Sequence, residues 1–291
     1  MPARRVIVVG AGAGGLAAAL DLAARGVEVT VLERASAPGG KLREVAIGGA
    51  RLDAGPTVFT MRWVFEDLFA AAGAELAAHL ALRPVEVLAR HTWADGARLD
   101  LYADRERSAE AIAEFAGAAE ARRYREFCRR AAGIYRTLEG PFIRAPRPGP
   151  LELVRRVGAA GLGGLWRISP FATLWGALGR HFRDPRLRQL FGRYATYCGS
   201  SPWLAPATLM LVAHVEQDGV WLVDGGMHRI AVSLAALARE RGAVFRYGAE
   251  ATEVNVAGAR VTGVTLACGE RLPADAVIVN ADAGALAAGR F

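Results

Sequence analysis

"VIVVGAGAGG", Val6 to Gly15, is the stretch whose reading decides the fold. Three valines and Ile7 run straight into Gly10, Gly12, Gly14 and Gly15, so an apolar strand ends in a turn bare of side chains. Arg4 and Arg5 precede the run as they would in a secretory signal. Yet glycines interrupt it, Asp21 and Arg25 follow, and no small-residue cleavage site stands behind it, so the stretch reads as part of the fold. A G-x-G-x-x-G turn holds a dinucleotide pyrophosphate when a strand precedes it and a helix follows, inside a βαβ unit of about 30 residues. Those flanks are present. Val6–Val9 is the strand, Leu16 to Arg25 is an Ala/Leu-rich helix stopped by Gly26, and Val27, Val29 and Val31 alternate with Glu28 and Thr30 as a second strand.

Each glycine answers a physical need. Gly10 permits the tight turn, Gly12 lets backbone approach the phosphates, and Gly15 lets helix and strand pack closely. The helix N-terminus then offers unpaired N–H groups and the positive end of its dipole to an anion. Glu33, just past the second strand, accepts hydrogen bonds from ribose hydroxyls.

Beyond it the chain reads "ERASAPGGKLREV", Glu33 to Val45, where Gly39-Gly40 followed by Lys41 suggests a second close backbone approach to an anion. A Pro-Gly turn with a solvated lysine reads these residues equally well on their own. Next, in "LDAGPTVFTMR", Gly55-Pro56 stiffens a loop after a short strand. Taken together, G-x-G-x-x-G, E-R, P-G-G-K and D-A-G-P-T resemble the flavin amine oxidase and phytoene desaturase superfamily, which binds FAD. The resemblance implies that Gly39, Gly40 and Lys41 line the pyrophosphate and that Gly55, Pro56 and Thr57 lie near the isoalloxazine. It also implies backbone contact with adenine near Val254, and a helix returning to the flavin domain at Gly225-Gly226. Arg34 beside the ribose carboxylate hints at an NADP phosphate, but Glu33 would repel that phosphate, so FAD is the expected cofactor.

Two longer stretches sharpen the resemblance. "DAGPTVFTMRWVFEDLFAAAG" and "HFRDPRLRQLFGRYATYCGSSPWLAPATL" are similar to the carotenoid desaturase branch, above all to the 1-hydroxycarotenoid 3,4-desaturases of purple photosynthetic bacteria. The second stretch also has a plain reading, with Asp184 capping a helix that has Pro185 at its first position and Leu187, Leu190, Phe191 and Tyr194 as its apolar face. The implied activity removes two hydrogens from a hydroxylated acyclic carotenoid. Such a reaction asks the protein for orientation and water exclusion rather than a strong acid–base pair. No dyad or triad stands out, and no catalytic residue is assigned. Arg62 and His228 are the polar residues nearest the expected flavin loops, and His228 reads as a structural hydrogen-bonding group. A phytoene-type desaturase, an amine or porphyrinogen oxidase, and a non-catalytic FAD- and lipid-binding half-protein remain as alternatives. The family pattern continues past Phe291 with a glycine-rich segment that completes the flavin site, so the resemblance implies a fragment that is poorly soluble and inactive by itself.

Bulk properties agree. The 291 residues are 53% hydrophobic, enough for about two domains. Cys128, Cys198 and Cys268 are scattered and odd in number, which fits a reducing cytoplasm, and neither cysteines nor the five histidines show metal-ligand spacing. The net charge of +7 comes without a nucleic-acid-binding module, so no nucleic acid partner is expected. Between Gly149 and Arg183, Arg155, Arg156, Arg167, Arg180 and Arg183 flank apolar pieces carrying Leu165, Trp166, Phe171, Leu174 and Trp175. The longest uncharged run there, Ile168 to Gly179, contains Pro170 and falls well short of the about 20 residues of a spanning helix. It suits a segment lying on anionic lipid at the inner membrane, and equally a core-facing helix pair with snorkelling arginines.

The expected organisation is an α/β, Rossmann-like FAD-binding domain in two parts, 1–62 and 218–291, around an inserted α+β domain, 63–217, for substrate and membrane contact. Nothing in the sequence sets an oligomeric state.

Overall fold

A computed structural model describes residues 5–145, 149, 151, 152, 155, 156, 168 and 171–289. The chain opens with β1 (Arg5–Val9), α1 (Ala13–Ala24) and β2 (Glu28–Glu33). Gly26, at φ +78°, ends α1 in the left-handed region that glycine tolerates. A hairpin follows, β3 (Glu44–Ile47) and β4 (Ala50–Asp53), joined by Gly48-Gly49 with both φ angles positive. Then come α2 (Arg62–Ala71), α3 (Leu76–His79) and β5 (Leu82–Pro84).

The next stretch is mainly helical. β6 (Val87–Thr92) and β7 (Arg98–Tyr102) pair across the Asp95-Gly96 turn. They are followed by α4 (Arg105–Ala116), α5 (Ala118–Leu138), α6 (Leu174–His181), α7 (Pro185–Gly192) and α8 (Leu211–Asp218). As the sequence suggests, Asp184 caps α7 by accepting from the Arg186 N–H at 2.8 Å.

The chain then returns through β8 (Trp221–Val223), α9 (His228–Glu240), β9 (Val244–Tyr247), β10 (Ala251–Ala257), β11 (Arg260–Leu266), β12 (Arg271–Pro273), β13 (Ala276–Val279) and α10 (Ala283–Ala287).

Two compact units result, dividing at Arg83/Pro84 and at Val220/Trp221. The first is built on a parallel sheet of order β13-β1-β2-β9. Alternation along β1 sends Val8 to one face and Ile7 and Val9 to the other. Val8 joins a core with Leu16 and Leu20 of α1 and Ile230 and Leu234 of α9, while Ile7 and Val9 pack on Val264 and Leu266 of the antiparallel β10-β11-β12 sheet. A strand covered on both faces has no polar position, which is why "VIVV" is continuous. Helix α2 buries Phe69 in the same core as Leu16, so residues 63–83 pack with the first unit rather than with the insertion.

β13 is apolar like β1 but less covered. Among the described residues it is an edge strand paired only to β1, and its residues are half-buried or exposed. Val277 and Ile278 touch opposite cores without being sealed by a further neighbour.

The second unit packs its helices around an aromatic knot, with ring centroids of Phe127, Phe182 and Phe191 4.8–5.2 Å apart. Beside it lies a buried ion pair. Arg193 donates to both oxygens of Glu216 at 2.8 and 2.7 Å, and the hydroxyls of Tyr194 and Tyr197 donate to the same carboxylate at 3.2 and 2.8 Å. Burial first, and then the Glu216 charge, push the Tyr197 hydroxyl up to about 12.

Among the described residues no helix is long and apolar enough to cross a membrane. Of the basic and apolar segment expected at the lipid surface, Leu165, Trp166, Arg167 and Pro170 lie outside the described residues. Phe171, Trp203 and Leu204 are 90%, 58% and 81% exposed. The strands of chain that carry them are joined, since the Leu174 N–H donates to the Ala205 carbonyl and the Trp175 N–H to that of Pro202.

Candidate dinucleotide site

The glycine turn sits at the carboxyl end of β1, where the chain order of the sheet reverses between β2 on one side and β13 on the other. Open α/β sheets bind ligands at such a point. The turn is held from both sides. The Gly10 N–H donates to the Leu32 carbonyl at 2.7 Å, and the Gly39 N–H to that of Ala11 at 2.8 Å. Gly12 and Gly39 form an isolated parallel bridge. A Cβ on Gly15 would lie 2.0 Å from the Gly10 carbonyl oxygen, so helix and strand meet at a distance that only glycine allows.

The neighbouring glycines lock the next layer. A Cβ on Gly40 would approach Gly12 Cα at 3.1 Å, and one on Gly55 would lie 1.8 Å from the Lys41 carbonyl oxygen. Asp53 at the end of β4 accepts from the Met227 N–H at 2.9 and 3.0 Å, tying the hairpin to the start of α9. His228 Nδ1 meets the Leu42 carbonyl at 2.8 Å, the structural hydrogen bond that its sequence context suggests. Sequence reading missed Asp53 and Met227, because the contact spans more than half the chain.

Gly10, Gly12, Gly14, Gly15, Gly39, Gly40, Lys41 and Gly55 are thus brought together. Glu33 joins them: its Oε2 accepts from the Ala11 N–H at 2.7 Å and its Oε1 from the Ala35 N–H at 2.9 Å. A carboxylate has about four acceptor sites, so both oxygens keep capacity for hydroxyl donors. Arg34, Lys41, Pro56 and Thr57 are exposed around this cluster. Val254 lies on β10, whose approach is fixed by the Ala249 N–H donating to the Glu33 carbonyl at 2.9 Å. Arg62 is spoken for, paired with Glu66 at 2.7 Å and 5.9 Å from the Trp221 ring centroid.

The donor set suits a dinucleotide diphosphate. Helix α1 has no side-chain cap and no acidic residue in its first turn, leaving its N-terminal donors and positive dipole end for an anion. Glu33 keeps acceptor capacity of the kind that hydroxyl donors use.

Known proteins show the same architecture. The family model described as flavin containing amine oxidoreductase matches residues 13–291. A hydroxyneurosporene desaturase from Rubrivivax gelatinosus is 57% identical over 286 residues, covering 98% of this chain and 54% of that protein. Another from Cereibacter sphaeroides is 48% identical, with 98% and 57% covered. A phytoene dehydrogenase from Streptomyces griseus is 39% identical, with 97% and 55% covered. The chain therefore spans about half the length of the curated relatives it matches. Among solved structures, an oxidoreductase from Methanosarcina mazei superposes with a TM-score of 0.66 at 17% identity, covering 98% of this chain and 60% of that one. Putrescine oxidase bound to putrescine gives 0.60 at 19%, covering 95% and 57%. These likenesses establish the fold, and the family match goes further: the chain belongs to the flavin containing amine oxidoreductase family, with FAD as its cofactor.

Proposed function

We propose that the gene product is an FAD-dependent desaturase that removes two hydrogens across C-3,4 of a hydroxylated acyclic carotenoid. The observation that carries this reading is the identity with hydroxyneurosporene desaturases across nearly the whole chain. Gly10, Gly12, Gly14 and Gly15 hold the diphosphate at the N-terminus of α1, and Glu33 takes the ribose hydroxyls with Arg34 beside it. Gly39, Gly40 and Lys41 form the facing wall. Gly55, Pro56 and Thr57 run toward the isoalloxazine, and backbone at Val254 toward adenine. The chemistry supplied with FAD is acceptance of a hydride from a carbon beside the polyene. The first unit fixes the cofactor's orientation, and the second receives the apolar substrate and excludes water.

Expression of the full-length gene in cells that accumulate a hydroxylated acyclic carotenoid is expected to yield pigment with one further conjugated double bond, absorbing at longer wavelength. Unchanged pigment, or new desaturation of phytoene alone, would replace this reading by the phytoene-type one.

We place the protein at the cytoplasmic face of the inner membrane as a peripheral protein. The support is that Phe171, Trp203 and Leu204 are exposed, as are Arg180 and Arg183. Exposed aromatic and basic groups suit the headgroup layer of anionic lipid. Full-length protein is expected to bind anionic liposomes, and Arg180→Gln with Arg183→Gln to weaken attachment by about 1 kcal/mol each. Equal binding to neutral and anionic vesicles would remove the electrostatic part.

A further inference from the structure

The apolar strand β13 ends, like β1, in a polar break. Pairing runs Val6↔Ala276 to Val9↔Val279, so Asn280 arrives level with Gly10, and its N–H donates to the Val9 carbonyl at 2.8 Å. All four glycines of the turn make room for this one residue. A Cβ on Gly10 would lie 2.8 Å from the Asn280 carbonyl oxygen. Cβ atoms on Gly12 and Gly15 would each lie 3.1 Å from its Nδ2, and one on Gly14 would lie 2.8 Å from its Oδ1. The bareness of the turn therefore serves a side chain as well as a ligand.

That side chain is a half-buried carboxamide against the first turn of α1, and among the described residues it makes no hydrogen bond. A carboxamide carries two N–H donors and an acceptor, and here they remain available to a ligand. The surroundings say what kind of partner. The helix end is positive and uncapped, and has no acidic residue in its first turn. The nearby carboxylate of Asp282 is engaged elsewhere, accepting from the Gly284 N–H at 2.8 Å.

We propose that Asn280 is a direct ligand of the diphosphate, its Nδ2 donating to a phosphate oxygen in front of α1; this rests on the reading of the glycine turn as the diphosphate site. A neutral amide adds a donor without a charge. An aspartate of the same shape would set a negative charge against the phosphates.

The test is titration of apo full-length gene product with FAD and with ADP, read by flavin fluorescence quenching and calorimetry. Asn280→Asp is expected to weaken both ligands about tenfold or more, with part of the loss recovered at high salt. Asn280→Ala is expected to weaken both by several-fold, independent of salt. Unliganded melting of the two variants is expected to match the parent, because no protein hydrogen bond is lost. Parent-like affinity in both variants would overturn the proposal. So would equal, salt-independent losses accompanied by lower unliganded melting, which would make Asn280 a packing residue. Failure of the parent itself to bind either ligand would instead remove the diphosphate site, and this ligand with it.

Discussion

Gly15→Ala is expected to strip the protein of flavin and to lower its melting temperature by several degrees. The added carbon would sit 2.0 Å from the Gly10 carbonyl oxygen, a backbone atom that cannot swing aside. Relief requires α1 to draw back from β1. Forced overpacking of this kind costs about 1–3 kcal/mol, or several degrees of melting temperature in a protein of this size. The same retreat moves the N-terminal donors of α1 away from the diphosphate, so affinity falls beyond what stability alone would take. Gly133→Ala is the control. Gly133 lies inside α5, a Cβ there would meet nothing within 4 Å, and alanine in a helix interior gains about 0.5–1 kcal/mol. Differential scanning calorimetry and flavin-to-protein absorbance ratios read both changes. Stoichiometric flavin and parent-like melting in Gly15→Ala would show that strand and helix do not meet as described.

Glu216→Gln is expected to produce the largest loss of stability in the second unit, about 3 kcal/mol by urea unfolding. Breaking a buried pair by neutralising one partner typically costs about 3–5 kcal/mol, and the lower end applies because the Arg193 side chain keeps 27% exposure against 7% for Glu216. The glutamine amide also offers one acceptor oxygen where the carboxylate serves Arg193, Tyr194 and Tyr197 together. Arg193 Nε already has no hydrogen-bond partner, so the change adds to a guanidinium that is incompletely satisfied. Removing both charges, with Arg193→Met and Glu216→Leu, is expected to cost much less than the sum of the single changes. Strict additivity would mean that the pair contributes only as two independent side chains.

Local chemistry made much of this molecule readable in advance. The Gly10–Gly15 turn, the Asp184-Pro185 helix start and the Asp95-Gly96 hairpin each depend on residues a few positions apart, and each stands where its sequence puts it. What depends on distant partners was not readable. "AVIV" at 276–279 says strand, but an apolar run is the same whether the strand has one neighbour or two. The Ala- and Leu-rich composition after Trp63 says helix, but not that Phe69 lies in the same core as Leu16. Asp53 looks like an ordinary loop acid until Met227 is brought to it, and Asn280 like an ordinary strand end until the β1–β13 register sets it against the turn. Pro56, Thr57 and Val254 enter the candidate site through family resemblance rather than through contacts with the turn.

The pairing of β1 with both β2 and β13 has a consequence for the ribosome. The β1–β2 pair can zip as soon as residue 33 clears the exit tunnel, but the other edge of β1 waits for residues 276–279. At about 5–20 residues per second that wait lasts roughly ten seconds to a minute. Throughout it, Val6–Val9 offers an open apolar strand edge while the helical insertion, complete by Val220, has already had its chance to fold. Chaperone demand during biosynthesis should therefore concentrate on the first unit, whose earliest strand is among the last to find its neighbours.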